Sequence, residues 1–115
     1  MSYRKYSSEA REKVKKADTL PKLIRALCAD YERRKIHIFE GDLPRRVRME
    51  YSYLNSRIFD AAGEICGAAA AERFIKEIGE GIGYAYTELD GYSESTYKCY
   101  KAEILANIAK KLHLL

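Results

Sequence analysis

Between residues 91 and 105 the chain reads GYSESTYKCYKAEIL, and it sets two hydroxyls, two ammonium groups and a thiol close together: Ser93, Ser95, Lys98, Lys101 and Cys99. These five are the candidate nucleic-acid contacts of the segment, if its helix is one that DNA receives. Gly91 supplies a turn ahead of them, and Ser93 is a residue type that caps a helix. Tyr97 and Tyr100 fall on a helical spacing with Ile104, Leu105, Ile108 and Leu112. Two uses fit such a segment. It is either a recognition helix offered to DNA, or the closing helix of a bundle with its tyrosines packed inward.

Further cations gather upstream, at Arg33, Arg34 and Lys35, at Arg45, Arg46 and Arg48, and at Lys13, Lys15 and Lys16. Net charge is +4, unevenly spread: residues 1–48 carry +7 and residues 49–115 carry −3. An electropositive half favours an anionic partner, nucleic acid first. Arg45, Arg46 and Arg48 span one helical turn, so they cannot share one direction, but they can straddle a backbone. Tyr3 and Tyr6 lie among Arg4 and Lys5 in an expected mobile arm at residues 1–7.

Other chemistries lack their residues. His37 and His113 are far apart, and no CxxC or HxxxH spacing exists for a metal. No serine or cysteine sits in a local catalytic signature. The scattered Cys28, Cys66 and Cys99 read as reduced, small hydrophobes, which favours the cytoplasm. IGEGIG has GxGxG spacing and follows a helix, whereas a dinucleotide loop needs GxGxxG after a strand. Its glycines are read as a fraying helix end or a close helix–helix contact, with a hinge as the alternative. Glu72 and Lys76, four apart, read as a solvated helix pair. No enzyme and no cofactor are expected.

The elements that position these groups are helical. DTLPKLIRAL and GDLPRRVRME share Thr/Asp-Leu-Pro-Lys/Arg, with Thr19 and Asp42 as caps and Pro21 and Pro44 in first turns. A thin amphipathic stretch from Ser8 presents Ala10, Val14 and Ala17. Leu23, Ile24, Leu27, Cys28 and Tyr31 make a second stripe. KIHIF is read as a helix end rather than a strand. Val47, Tyr51, Leu54, Ile58, Ala61, Ala62 and Ile65 line the clearest helix, and Ala71, Phe74, Ile75, Ile78 and Ile82 the next. The fold expected is therefore all-α: a compact bundle of five to six helices, one domain over residues 1–115.

Residues 83–112 also supply the parts of a helix-turn-helix. Ile82, Tyr86 and Leu89 would line its first helix, Asp90 and Gly91 would turn the chain, and Ser93 would cap the second. YSESTYKCYKAEILANIAKKL resembles the last helix of small phage-type regulators, the ArpU/RinA-like late-gene activators, and the DNA-reading end of sigma-factor-type domains. In both, a Ser-x-x-Thr start leads into a basic turn and an Ala/Leu-rich helix. The resemblance implies DNA binding by a trihelical unit with residues 93–101 in the groove. Here LDGYS is one residue longer than the usual turn. Residues 93–100 contain no Arg, Asn or Gln, the types that make the commonest specific base contacts.

The leading expectation is a small cytoplasmic DNA-binding protein, a phage or mobile-element transcriptional regulator. The alternative is a non-enzymatic helical structural or interaction protein, such as a phage head–tail connector or assembly factor, with a protein partner or a homo-oligomeric state and tyrosines at its contacts. No membrane partner is expected, since no apolar run approaches a bilayer span.

Overall fold

The computed structural model describes residues 19–115. The helical stretch expected from Ser8, the arm with Tyr3 and Tyr6, and Lys13, Lys15 and Lys16 lie outside the described residues. Within them the chain is all-helical, with no strand. The elements are α1 (Leu20–Ala29), α2 (Tyr31–Glu40), α3 (Arg45–Cys66), α4 (Ala68–Glu80), a 3-10 turn at Tyr84–Tyr86, and α5 (Glu94–Lys111). KIHIF is the second half of α2, a helix end as expected rather than the strand that its alternation allows.

The two Leu-Pro starts behave differently from each other. Pro21 occupies the first turn of α1, where a missing N–H costs nothing. Thr19 precedes it in a helical conformation, and its side chain makes no cap bond, because a capping hydroxyl needs an extended backbone to turn back. Pro44 is itself the residue before α3, in place of Asp42. The Asp42 carboxylate instead meets Nδ1 of His37 at 3.0 Å, which, with the histidine protonated, holds its pKa below the ordinary carboxylate value. Ser93 caps as expected: extended backbone lets its Oγ accept from the Thr96 amide at 3.2 Å.

The core gathers between α3, α4 and α5, with α1 laid across α4 and α5. Ile24, Ile58, Phe74, Ile75, Ile104 and Ile108 are fully buried. Burying each contributes about 1.5–3 kcal/mol before chain entropy is counted. Leu23 is exposed, because the buried stripe of α1 runs through Ile24 and Cys28 with Leu20 and Leu27 beside it. α5 is buried on most of its sides, Glu103 and Asn107 included. Asn107 donates to the Ala61 carbonyl at 3.0 Å, which ties α5 to α3.

Gly79 explains part of IGEGIG. A Cβ placed on it would stand 2.5 Å from the Ala29 backbone nitrogen, so α4 can rest on the end of α1 only without a side chain there. This is the close helix–helix contact among the readings above. Gly81, at φ +70°, then ends α4 in the left-handed conformation that glycine tolerates.

Candidate functional site

Gly81 and Gly83 stop the helix, so residues 83–92 form one 3-10 turn and extended chain. This corrects the expectation of a helix through Ile82, Tyr86 and Leu89. Tyr86 is 82 % exposed rather than inward. The physical cause is a carboxylate. Glu77, buried on α4, accepts from the Thr87 hydroxyl at 2.6 Å, the Glu88 amide at 3.0 Å and the Tyr97 hydroxyl at 2.6 Å. Burial alone would raise its pKa, but these bonds outweigh that and hold it low. The same contacts work on Tyr97 in the other direction: burial and the Glu77 carboxylate push its phenol up to about 12. An extended segment thus has its polar groups satisfied from α4, and it has no need of helical hydrogen bonds of its own.

Around Phe74 the tyrosines interlock. Tyr92, Tyr97 and Tyr100 have ring centroids 5.4, 5.8 and 6.0 Å from it, and Tyr84 lies 5.6 Å from Tyr97. Edge and tilted arrangements at these distances are favourable for aromatic quadrupoles. The tyrosines of the opening segment therefore pack inward.

The expected phosphate-binding residues do not form one face. Ser93, Ser95 and Lys98 are exposed at the start of α5, with Lys98 paired to Glu94 at 2.6 Å. Cys99 is half-buried, its thiol 3.3 Å from Glu103. Lys101 is turned inward, a correction to its placement on the exposed turns: its ammonium donates to the Ile82 carbonyl and lies 5.0 Å from the Tyr97 ring centroid. Burial lowers its pKa, and the charge of Arg25 on α1 adds to the shift.

Arg34 is the clearest correction. It is 3 % exposed and binds Asn55 Oδ1 at 2.6 Å and the Leu27 carbonyl, so it fastens α2 to α3 and α1. Asn55 in turn donates to the Tyr31 carbonyl at 3.0 Å. Arg33 pairs with Asp30 and lies over the Tyr51 ring. Lys35 pairs with Glu72 at 2.8 Å, and Tyr31 donates to the same carboxylate. Glu72 is thereby taken from the expected partner Lys76, which stands opposite Glu80. Arg46 pairs with Glu50, and Arg48 donates to the Leu43 carbonyl. Arg45 is exposed with no ion pair among the described residues. Of the 21 Lys/Arg, 6 precede Thr19, and of the 17 Asp/Glu, 3 do, which leaves +1 on residues 19–115.

What the spacing did not single out is apolar. Phe39 is 92 % exposed, with Ile36 one turn earlier, and Met49 and Tyr53 project from α3. Phe39 lies five residues beyond buried Arg34, roughly the opposite side of α2.

Among the described residues no group of His, Cys, Asp and Glu is placed to hold a metal ion, and no helix is long and apolar enough to cross a membrane. Burial pushes the Cys28 thiol up to about 12 and the Cys66 thiol to about 11, away from nucleophilic chemistry. No protein-family model, curated protein or solved structure matches this chain.

Proposed function

We propose that this chain is a non-enzymatic helical interaction protein acting in the cytoplasm, of the connector or assembly-factor kind, rather than a sequence-reading regulator. The observation that carries this reading is Phe39, a phenyl ring left almost wholly in water on a helix that buries Tyr31 and Arg34, with exposed Ile36 beside it. Aromatic and methionine side chains are the types enriched at the centres of protein interfaces, and here Phe39, Met49 and Tyr53 stand outside the core. Three free cysteines agree with a reducing compartment. The test is a photo-crosslinking residue placed at Phe39 and, as control, at exposed Glu50. A discrete protein adduct from position 39 alone supports the reading, and no adduct from either position in cells sinks it.

A second reading, a phage-type DNA-binding regulator, is favoured by Ser93, Ser95 and Lys98 standing exposed at the first turn of α5, with Arg25 near Lys101. A mobility shift with random duplex at two salt concentrations decides it. DNA binding predicts a shift at low salt that collapses at moderate salt through counterion release, and that Lys98→Glu weakens. Absence of any shift at low salt removes it.

A further inference from the structure

Residues 83–91 are irregular chain stretched between two fixed ends. At one end the Ile82 carbonyl accepts from the Tyr97 hydroxyl at 3.1 Å and from the Lys101 ammonium. At the other, Tyr92 packs edge-on against Phe74, with ring centroids 5.4 Å apart. Just inside each anchor stands a glycine, Gly83 and Gly91. Gly91 takes φ +86°, and a Cβ added at either position would meet nothing within 4 Å. Both ends therefore have the backbone freedom and the open space of a hinge, where a few residues absorb a large change in φ and ψ.

The middle of this stretch hangs on one carboxylate. Glu77 Oε1 accepts from the Thr87 hydroxyl at 2.6 Å, and Oε2 accepts from the Glu88 amide at 3.0 Å. The Leu89 amide donates in turn to Thr87 Oγ1 at 3.0 Å, so three consecutive residues depend on Glu77. A second tie, Arg73 to Glu88 at 3.3 Å, joins two side chains that are more than half exposed. Exposed pairs of that kind contribute little. Tyr84 bonds within the stretch, to the Tyr92 carbonyl, and Leu89 adds partly buried apolar contact.

Three donors converge on Glu77, counting the Tyr97 hydroxyl at 2.6 Å. A proton on either carboxylate oxygen removes an acceptor site from them and leaves the remaining bonds neutral, about half as strong. A proton also has a way in. Glu77 is buried, but it borders a recess of about 30 Å³ among Arg73, Lys76, Glu80 and Glu88. From α5 it is faced by Tyr97 and Lys101, and Arg25 of α1 stands near Lys101. Lys101 favours the ionised carboxylate.

We propose that residues 83–91 form a strap, pivoting on Gly83 and Gly91 and latched to α4 by the Glu77 carboxylate, and that protonating Glu77 releases the strap as a unit while α1 to α5 stay formed. Release turns Glu77 and the adjoining side of α4 toward solvent, beside Lys101 and Tyr97. The folded pKa of Glu77 is held below the ordinary 4.5, so the strap is closed above that value and opens as pH falls through the folded one. The latch works alike whichever partner the chain has, and it stands or falls apart from the interaction reading.

The experiment follows backbone amide NMR shifts of the full chain from about pH 7 to about pH 3, across the carboxylate range. The expected result is that residues 83–91 move together in one transition with its midpoint below 4.5, while the amides of the five helices hold their positions. Glu77→Gln, which cannot ionise, should show the released strap already at neutral pH. Thr87→Val removes one donor from the latch and should move the midpoint up by about one pH unit, tenfold in the opening equilibrium. Glu88→Gln keeps the amide that Glu77 binds and should leave the midpoint in place, which separates Glu77 from the carboxylate beside it. A strap that loosens only together with the helices overturns the proposal, and so do Glu77→Gln strap amides that match the wild type at neutral pH. Should Glu77→Gln fail to fold, a Thr87→Val midpoint that stays at the wild-type value overturns it as well.

Discussion

Aromatic side chains live two different lives in this molecule. Around Phe74, four tyrosines from the segment after α4 and from α5 are locked into edge and tilted contacts, with the Tyr97 hydroxyl satisfied by Glu77 and the Ile82 carbonyl. On the α2–α3 side, Phe39 and Tyr53 stand in solvent. The two groups belong to the same residue class. What separates them is whether a polar partner and an apolar floor arrive together. The inner group holds the fold in place, while in the outer group Tyr53 carries Arg57 over its ring at 5.0 Å and Phe39 is exposed.

The comparison breaks most sharply at its centre. Phe74→Ala should cost about 3–5 kcal/mol, since it empties the site that three tyrosines share. Chemical denaturation measures it, and a cost under about 1 kcal/mol would mean the cluster is not the keystone argued here. Gly79→Ala comes next. The added methyl meets backbone rather than a yielding side chain, and the strain expected for such overpacking is about 1–3 kcal/mol, with α1 protection falling in hydrogen exchange.

Glu77→Gln tests the polar half of the inner region. With its folded pKa held below the ordinary 4.5, Glu77 contributes stability that is present above that value and lost as pH falls through the folded one. The substitution should therefore flatten the acid limb of the stability profile and leave the neutral-to-basic limb in place. An unchanged acid limb would show that Glu77 is not the group responsible. Smallest of all, Phe39→Ala should change stability by no more than about 0.5 kcal/mol while reducing partner or self-association. A large loss of stability would return Phe39 to the structural group.

Most of the fold was legible because apolar period is a direct imprint of burial. Ile24, Ile58, Phe74 and Ile104 sit where three-and-four spacing put them, and Ser93 caps because its backbone is extended. Arg34 was not legible. Nothing local separates it from Arg33 and Lys35, and its burial depends on Asn55 and Leu27 arriving from elsewhere in the chain. The same holds for residues 83–92. Their apolar spacing matches a helix, but Glu77 takes the Glu88 amide and Thr87 hydroxyl, a tertiary bond that overrides local period. The exposed serines and Lys98 were placed correctly on the surface, whereas Lys101 turned inward because the Tyr97 ring and the Ile82 carbonyl, which also accepts from the Tyr97 hydroxyl, offered it a site.

One consequence follows from Glu77 for how long the region after α4 keeps its shape. Irregular chain ordinarily exchanges its amide protons with solvent quickly, because opening it costs little. The Glu88 proton bonds instead to a carboxylate on the inner side of α4. Its exchange then waits on the loss of the Glu77 contact, so this non-helical stretch should be protected beyond what irregular chain ordinarily shows.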